Sequence, residues 1–189
     1  MNLERIDFHI RGVAPLIVHN ALLSDPLYVW SRAVAQISKK RKKTEAELIE
    51  MARCEFQGSL YHDGERPFIP GANLERMFRD AAAKTKKGKD VQAGMIVPED
   101  APLIYDGPKD RDKLWAKEQF RFRASAGVGG KRVMRTRPIF REWELKFFVL
   151  ISLDVLEVQQ VCDFLDLAGR VIGLCDWRPK YGRFEVVEG

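Results

Sequence analysis

Apolar and polar residues alternate cleanly at the start of the chain. Ile6, Phe8 and Ile10 fall on one face and Asp7, His9 and Arg11 on the other, which predicts a half-buried strand. Gly12 and Pro15 interrupt it, and Leu16 to Val18 read as its continuation after a bulge. Ser24-Asp25-Pro26 is a helix start with proline at the first helical position, and the helix it opens carries Leu27, Trp30, Val34 and Ile37 on one side. It runs into Lys39-Lys40-Arg41-Lys42-Lys43, a cheap match to a nuclear-import signal; a solvated helix end or a phosphate contact is the favoured reading. Thr44 and Glu47 form a capping-box pattern opening a short helix through Arg53. Phe56 to Tyr61, Asp63-Gly64 and Arg66 to Ile69 read as a β-hairpin with a tight turn.

Asn73 is the expected cap of the next helix, where Leu74, Met77, Phe78 and Ala81 form one apolar stripe and Arg76 and Arg79 lie off it. Lys86 to Lys89 read as a polar loop. The short apolar stretches Met95 to Val97 and Leu103 to Tyr105 sit among Pro, Gly and Asp and suggest an irregular insertion. Phe120 and Phe122 alternate with Arg121 and Arg123. After Gly127, Gly129 and Gly130, the residues Lys131, Val133, Arg135 and Arg137 share a face, so a long hairpin with an arginine-rich side is expected. Trp143, Leu145, Phe147, Val149 and Ile151 mark a strong strand. Asp154 and Glu157 precede a helix with Val158, Val161, Cys162, Leu165 and Ala168 on one stripe, and a loop from Gly173 to Gly182 leads to a last strand, Arg183 to Val187. Without the insertions the order is strand, helix, strand, strand, helix, strand. That predicts an α+β, ferredoxin-like (RRM-like) fold, an antiparallel sheet with helices on one face. One domain over residues 1–189 is expected, with insertions at about 20–66 and 86–118 and a protruding basic hairpin at about 119–138.

Charge changes the picture most between Lys117 and Arg141. Eight residues there are Lys or Arg and only Glu118 is acidic, a net of +7 in a chain whose total is +5. Self-repelling charge adds nothing to stability, so a polyanion partner is implied, and the interleaved phenylalanines favour nucleic acid. Arginines alternating along a strand recur at roughly 6–7 Å, near the phosphate spacing of an extended strand. Arg121, Arg123, Lys131, Arg132, Arg135 and Arg137 are the hairpin's candidate phosphate contacts. The terminal loop adds Trp177, Arg178, Lys180 and Tyr181, aromatics for stacking beside cations. The opposing readings are a charged edge ribbon that resists aggregation and a Trp177 packed under its own loop.

Cys54, Cys162 and Cys175 are too few and too scattered for a disulfide framework and read as reduced thiols of a cytoplasmic protein. No metal-ligand spacing and no cofactor motif appears. The longest apolar run, Phe147 to Ile151, falls far short of the ~20 residues of a membrane span. His19 and Asp25, after the first strand, are the only catalytic candidates, and neither has an identifiable partner in sequence.

The segment Pro67-Phe-Ile-Pro-Gly-Ala-Asn-Leu-Glu-Arg-Met-Phe-Arg79 resembles the IPGSSLKGxLR helix start of the RAMP superfamily, the RNA-binding proteins of CRISPR systems. Gly173 to Phe184 resembles the glycine-containing loop before that family's last strand, with Cys175-Asp176-Trp177 where the family often has more glycine. The resemblance is to the guide-RNA-coating backbone subunits. It implies a ferredoxin-like palm, Arg76 and Arg79 at the RNA, single-stranded RNA as partner (DNA not excluded), and self-association or assembly with other subunits. Non-catalytic RNA binding is the expected function. The alternatives are a metal-independent endoribonuclease of the same superfamily and a scaffold for an acidic protein.

Overall fold

A computed structural model describes residues 2–187, less the side chains of Val128 and Lys131. In chain order the elements are β1 (Leu3–Gly12), β2 (Leu16–Ile17), α1 (Val29–Ser38), α2 (Glu45–Ser59), β3 (Phe68–Ile69), α3 (Gly71–Ala82), α4 (Gly88–Gly94), β4 (Met95–Ile96), β5 (Ala101–Ile104), α5 (Arg111–Ala116), β6 (Arg121–Val128), β7 (Lys131–Phe140), β8 (Glu144–Ser152), α6 (Val158–Leu167) and β9 (Phe184–Val186). They form two compact units. One comprises residues 1–16, 67–106 and 140–189, the other residues 17–66 and 107–139. The span expected as a first insertion and the basic hairpin thus fall together in the second unit.

The first unit is built on the sheet β3-β5-β8-β1-β9, with β4 also on β8. β1 and β8 pair antiparallel from Leu3↔Ser152 to Arg11↔Glu144. Read along the α3 and α6 repeat, the strand order is the ferredoxin-like one, and α3 packs beside α6. Alternation decides which faces meet. Phe8, Ile10, Leu145, Phe147, Val149 and Ile151 point inward, against Leu74, Met77, Phe78 and Ala81 of α3 and Val161 and Leu165 of α6. Phe8, Phe78 and Phe147 form a ring cluster with centroids 5.8 to 6.4 Å apart. At the sheet's end Trp143 is buried and its Nε1–H donates to the Ala14 carbonyl at 2.9 Å.

Several expectations are corrected here. Met95 to Tyr105 is no irregular insertion, because β4 and β5 both pair with β8. Asn73 does not cap α3: the Asp100 carboxylate accepts from Gly71 N–H at 3.0 Å, and Asn73 instead reaches the Cys175 sulfur. Leu16 and Ile17 do not extend β1; Gly12 and the turn after it redirect the chain, and β2 belongs to a separate sheet, β2-β7-β6.

In the second unit the helix placed at Ser24 starts at Val29. Asp25 and Pro26 form a turn instead, with the Asp25 carboxylate accepting from Leu27 N–H at 2.8 Å. The Thr44–Glu47 capping box is present, but α2 continues to Ser59, so Phe56 to Ser59 is helix and not strand. The turn after it is as expected, with Asp63 Oδ1 accepting from Glu65 and Arg66 N–H. Phe56 packs edge-on to Trp115 at 5.4 Å, and Leu60, Leu114 and Phe120 are buried.

β6 and β7 form the long hairpin, closed by Gly129 and Gly130, both with positive φ, as a two-residue turn demands. Among the described residues no helix is long and apolar enough to cross a membrane, and no group of His, Cys, Asp and Glu is placed to hold a metal ion.

Candidate nucleic-acid interface

The hairpin does not present its arginines on one side. Its two-residue turn pairs Val128 with Lys131, so Arg121 lies opposite Pro138, Phe122 opposite Arg137, Arg123 opposite Thr136, Ala124 opposite Arg135 and Gly127 opposite Arg132. Directly opposed residues share a face. Arg121, Arg123 and Arg132 are therefore on one face and Arg135 and Arg137 on the other. The register puts Lys131 with the second set; its side chain lies outside the described residues.

The guanidiniums of Arg135 and Arg121 are engaged within the unit. Glu55, buried on α2, accepts from Arg135 Nη1 at 2.5 Å and from Thr136 N–H at 3.0 Å. Arg121 stacks its guanidinium carbon 5.0 Å from the Trp115 ring centroid. The expected single arginine-lined groove on this ribbon is corrected to two faces of different character. Arg123 and Arg132 are exposed, while Arg135 and Arg137 line a cavity.

The first unit does bring its predicted residues together. α3 and the Gly173–Gly182 loop come from the two motif segments, about a hundred residues apart in sequence. They meet around one carboxylate. Asp80 takes Arg178 Nη2 at 3.2 Å, Arg79 Nη2 at 3.3 Å and Arg76 Nε at 3.8 Å. One negative charge thus gathers three guanidiniums, two of which, those of Arg76 and Arg178, line an open, solvent-facing groove. The groove, about 830 Å³, is lined by Arg76, Lys84, Asp176, Trp177, Arg178 and Pro179 among others.

The loop's aromatics stand beside these cations. Trp177 and Tyr181 sit edge to face at 6.2 Å, and Lys180 Nζ is 5.7 Å from the Tyr181 ring. Arg183 Nε donates to the Pro179 carbonyl at 2.8 Å. The loop's backbone is unusual. Cys175 and Trp177 take positive φ of 63° and 55°, costly for non-glycine residues and a mark of a conformation imposed by its surroundings. Gly182 has φ 73°, and a Cβ there would lie 2.0 Å from the Leu174 carbonyl oxygen, so only glycine closes the loop onto Leu174. Desolvation pushes the Cys175 thiol up to about 12.

Chemically the groove suits phosphates. Each guanidinium offers a planar set of donors, and the aromatic edge offers a stacking surface. Asp80 and Lys84 were not singled out from sequence. The i, i+4 spacing of Arg76 and Asp80 was the signal for the first.

His19 and Asp25 are not brought together as a catalytic pair. His19 Nδ1 is 3.4 Å from the Ser59 hydroxyl and its carbonyl accepts from Tyr61 O–H, while Asp25 caps the turn before α1.

No protein-family model matches the chain, and no curated protein matches it by sequence. Among solved structures it is similar to a chain in the cryo-EM structure of the type III-B Cmr-beta bound to cognate target RNA, with TM-score 0.55 and 13% identity over 98% of this chain. This chain spans only 59% of that one. It is also similar to Cmr6 from Pyrococcus furiosus, with TM-score 0.47 and 11% identity over 99% of this chain and 100% of that one; only the first likeness is close enough to show a shared fold. The ferredoxin-like strand order and that likeness agree, and the chain shares its fold with that chain of the Cmr-beta structure.

Proposed function

We propose that the protein binds single-stranded RNA, without cutting it, along the α3–loop groove of its first unit. The observation that carries this reading is the convergence of Arg76, Arg79 and Arg178 on Asp80 beside Trp177 and Tyr181. Holding three long side chains on one carboxylate removes rotamer freedom before the ligand arrives, which lowers the entropy cost of binding. Recognition is of phosphates and stacked bases, hence largely independent of sequence and steeply dependent on salt. The RNA-bound complex to which the similar Cmr-beta chain belongs supports RNA as the ligand and a larger ribonucleoprotein as the setting.

The test is fluorescence anisotropy of a labelled single-stranded oligoribonucleotide at low salt, with the matching deoxyoligonucleotide alongside. Binding tighter than ~100 µM is expected, with a loss of about tenfold or more when Arg76 and Arg178 are both changed to Ala. RNA recovered intact after long incubation supports the non-catalytic reading. Cleavage that disappears in His19→Ala contradicts it.

A further inference from the structure

The turn that ends α3 carries four exposed lysines in six residues, Lys84, Lys86, Lys87 and Lys89. Lys87 pairs with Asp90 at 2.9 Å. Among the described residues the ammonium groups of Lys84, Lys86 and Lys89 form no ion pair.

The backbone of this turn is costly for one of them. Lys87 N–H donates to the Ala82 carbonyl at 2.9 Å and Lys86 N–H to the Ala83 carbonyl at 3.1 Å, the paired bonds that close a helix through a left-handed residue. Lys86 is that residue, with φ 63°. Glycine is the usual occupant, because it lacks the Cβ that makes this conformation unfavourable. At an exposed helix end the attraction of the last carbonyls for a cation is smaller than that cost, and Lys84 and Lys87 already supply cations there. A strained residue held in place points to a use for its side chain, here its charge.

The turn also continues the groove. Arg76, Asp80 and Lys84 recur every four residues along α3 and the turn after it, and all three line the groove. Lys86 lies two residues further on. From Arg76 to Lys86 the chain advances about 15 Å at the helical rise, room for about two more phosphates of an extended strand.

We infer that the turn between α3 and α4 is a second phosphate-binding station, where Lys86 and Lys89 take the backbone of a single strand as it leaves the groove over the C-terminal end of α3. This rests on the RNA-binding reading and gives the strand its path.

The experiment compares Lys86→Gly, Lys89→Gln and the double variant with wild type. Lys146→Gln is the control, the loss of one positive charge on the face of the main sheet turned away from α3. Single-stranded RNA affinity is read by anisotropy over a range of salt, and stability by urea unfolding. Lys86→Gly relieves the left-handed residue, so its urea midpoint should hold or rise while RNA affinity falls about threefold at low salt and the slope of log K against log salt becomes shallower by about 0.7. The double variant should lose about tenfold and about 1.4 of slope. A Lys86→Gly midpoint that falls while RNA affinity stays unchanged assigns the lysine to the helix end and overturns the inference. An equal loss in Lys146→Gln shows an effect of net charge alone and overturns it too. If wild type binds RNA and the turn variants match it, the groove stands and the turn is struck. If wild type binds no RNA, the RNA-binding reading fails and the station fails with it.

Discussion

Replacing Glu55 by Ala tests how the hairpin is held. Glu55 is 5% exposed and gives one oxygen to Arg135 and the other to Thr136 N–H. Breaking a fully buried ion pair from one side costs about 3–5 kcal/mol. The Arg135 side chain is 35% exposed and regains part of its hydration, which brings that contribution to about 1–2 kcal/mol. Thr136 is buried, and its orphaned amide costs about 1–3 kcal/mol more. The expected loss is about 3 kcal/mol, read from urea unfolding, with Thr136 amide exchange as the local readout. Arg135→Ala alone leaves a buried carboxylate that still holds Thr136. The double variant Glu55→Ala, Arg135→Ala should therefore be less destabilised than the sum of the singles, by about 1–2 kcal/mol. A Glu55→Ala loss below about 0.5 kcal/mol, with Thr136 exchange unchanged, would show that the hairpin is anchored elsewhere.

Phe78→Ala removes the α3 member of the ring cluster with Phe8 and Phe147 and should cost about 3–5 kcal/mol by urea unfolding. Gly182→Ala meets both a positive φ and the Leu174 carbonyl, so the terminal loop should deform and RNA affinity should fall with little change in secondary structure by circular dichroism. Burial raises Cys175 and Tyr105 to about 12 and Cys54 to about 11, and also raises Cys162. The folded state holds these protons more tightly than the unfolded one, so their contribution is complete below the unfolded thiol value of about 8.5 and is lost as pH rises from there toward the folded values. The urea midpoint should accordingly drop between about pH 8 and pH 10, and native thiols should resist alkylation at about pH 8 until denaturant is added.

The first unit's main sheet and its two helices were legible because their elements carry unmixed periods. Phe8, Phe78 and Phe147 each fall on the stripe or face that the sequence pattern assigns to the core. α2 was misread past Arg53 because Phe56, Gly58 and Leu60 also alternate by two, and a short window fits both periods. β4 and β5 are two and four residues long and pair with β8, far along the chain, so nothing local marks them as members of the main sheet. Each half of the hairpin was read correctly, since alternate arginines do share a face within a strand. Whether the two halves share the same face depends on the turn. A loop of two residues pairs Val128 with Lys131 and sends the two sets to opposite sides. The groove was partly legible. Arg76, Arg79 and Arg178 were singled out in separate motifs, but their meeting at Asp80 is a tertiary fact.

The most direct test of the central claim, phosphate binding at the Asp80-centred cluster, is the salt dependence of single-stranded RNA affinity. Three or more phosphate contacts give a slope of log K against log salt of about −2 or steeper, and Arg76→Ala and Arg178→Ala should each make it shallower by about 0.7. A flat dependence, or a slope that neither substitution changes, would contradict the account.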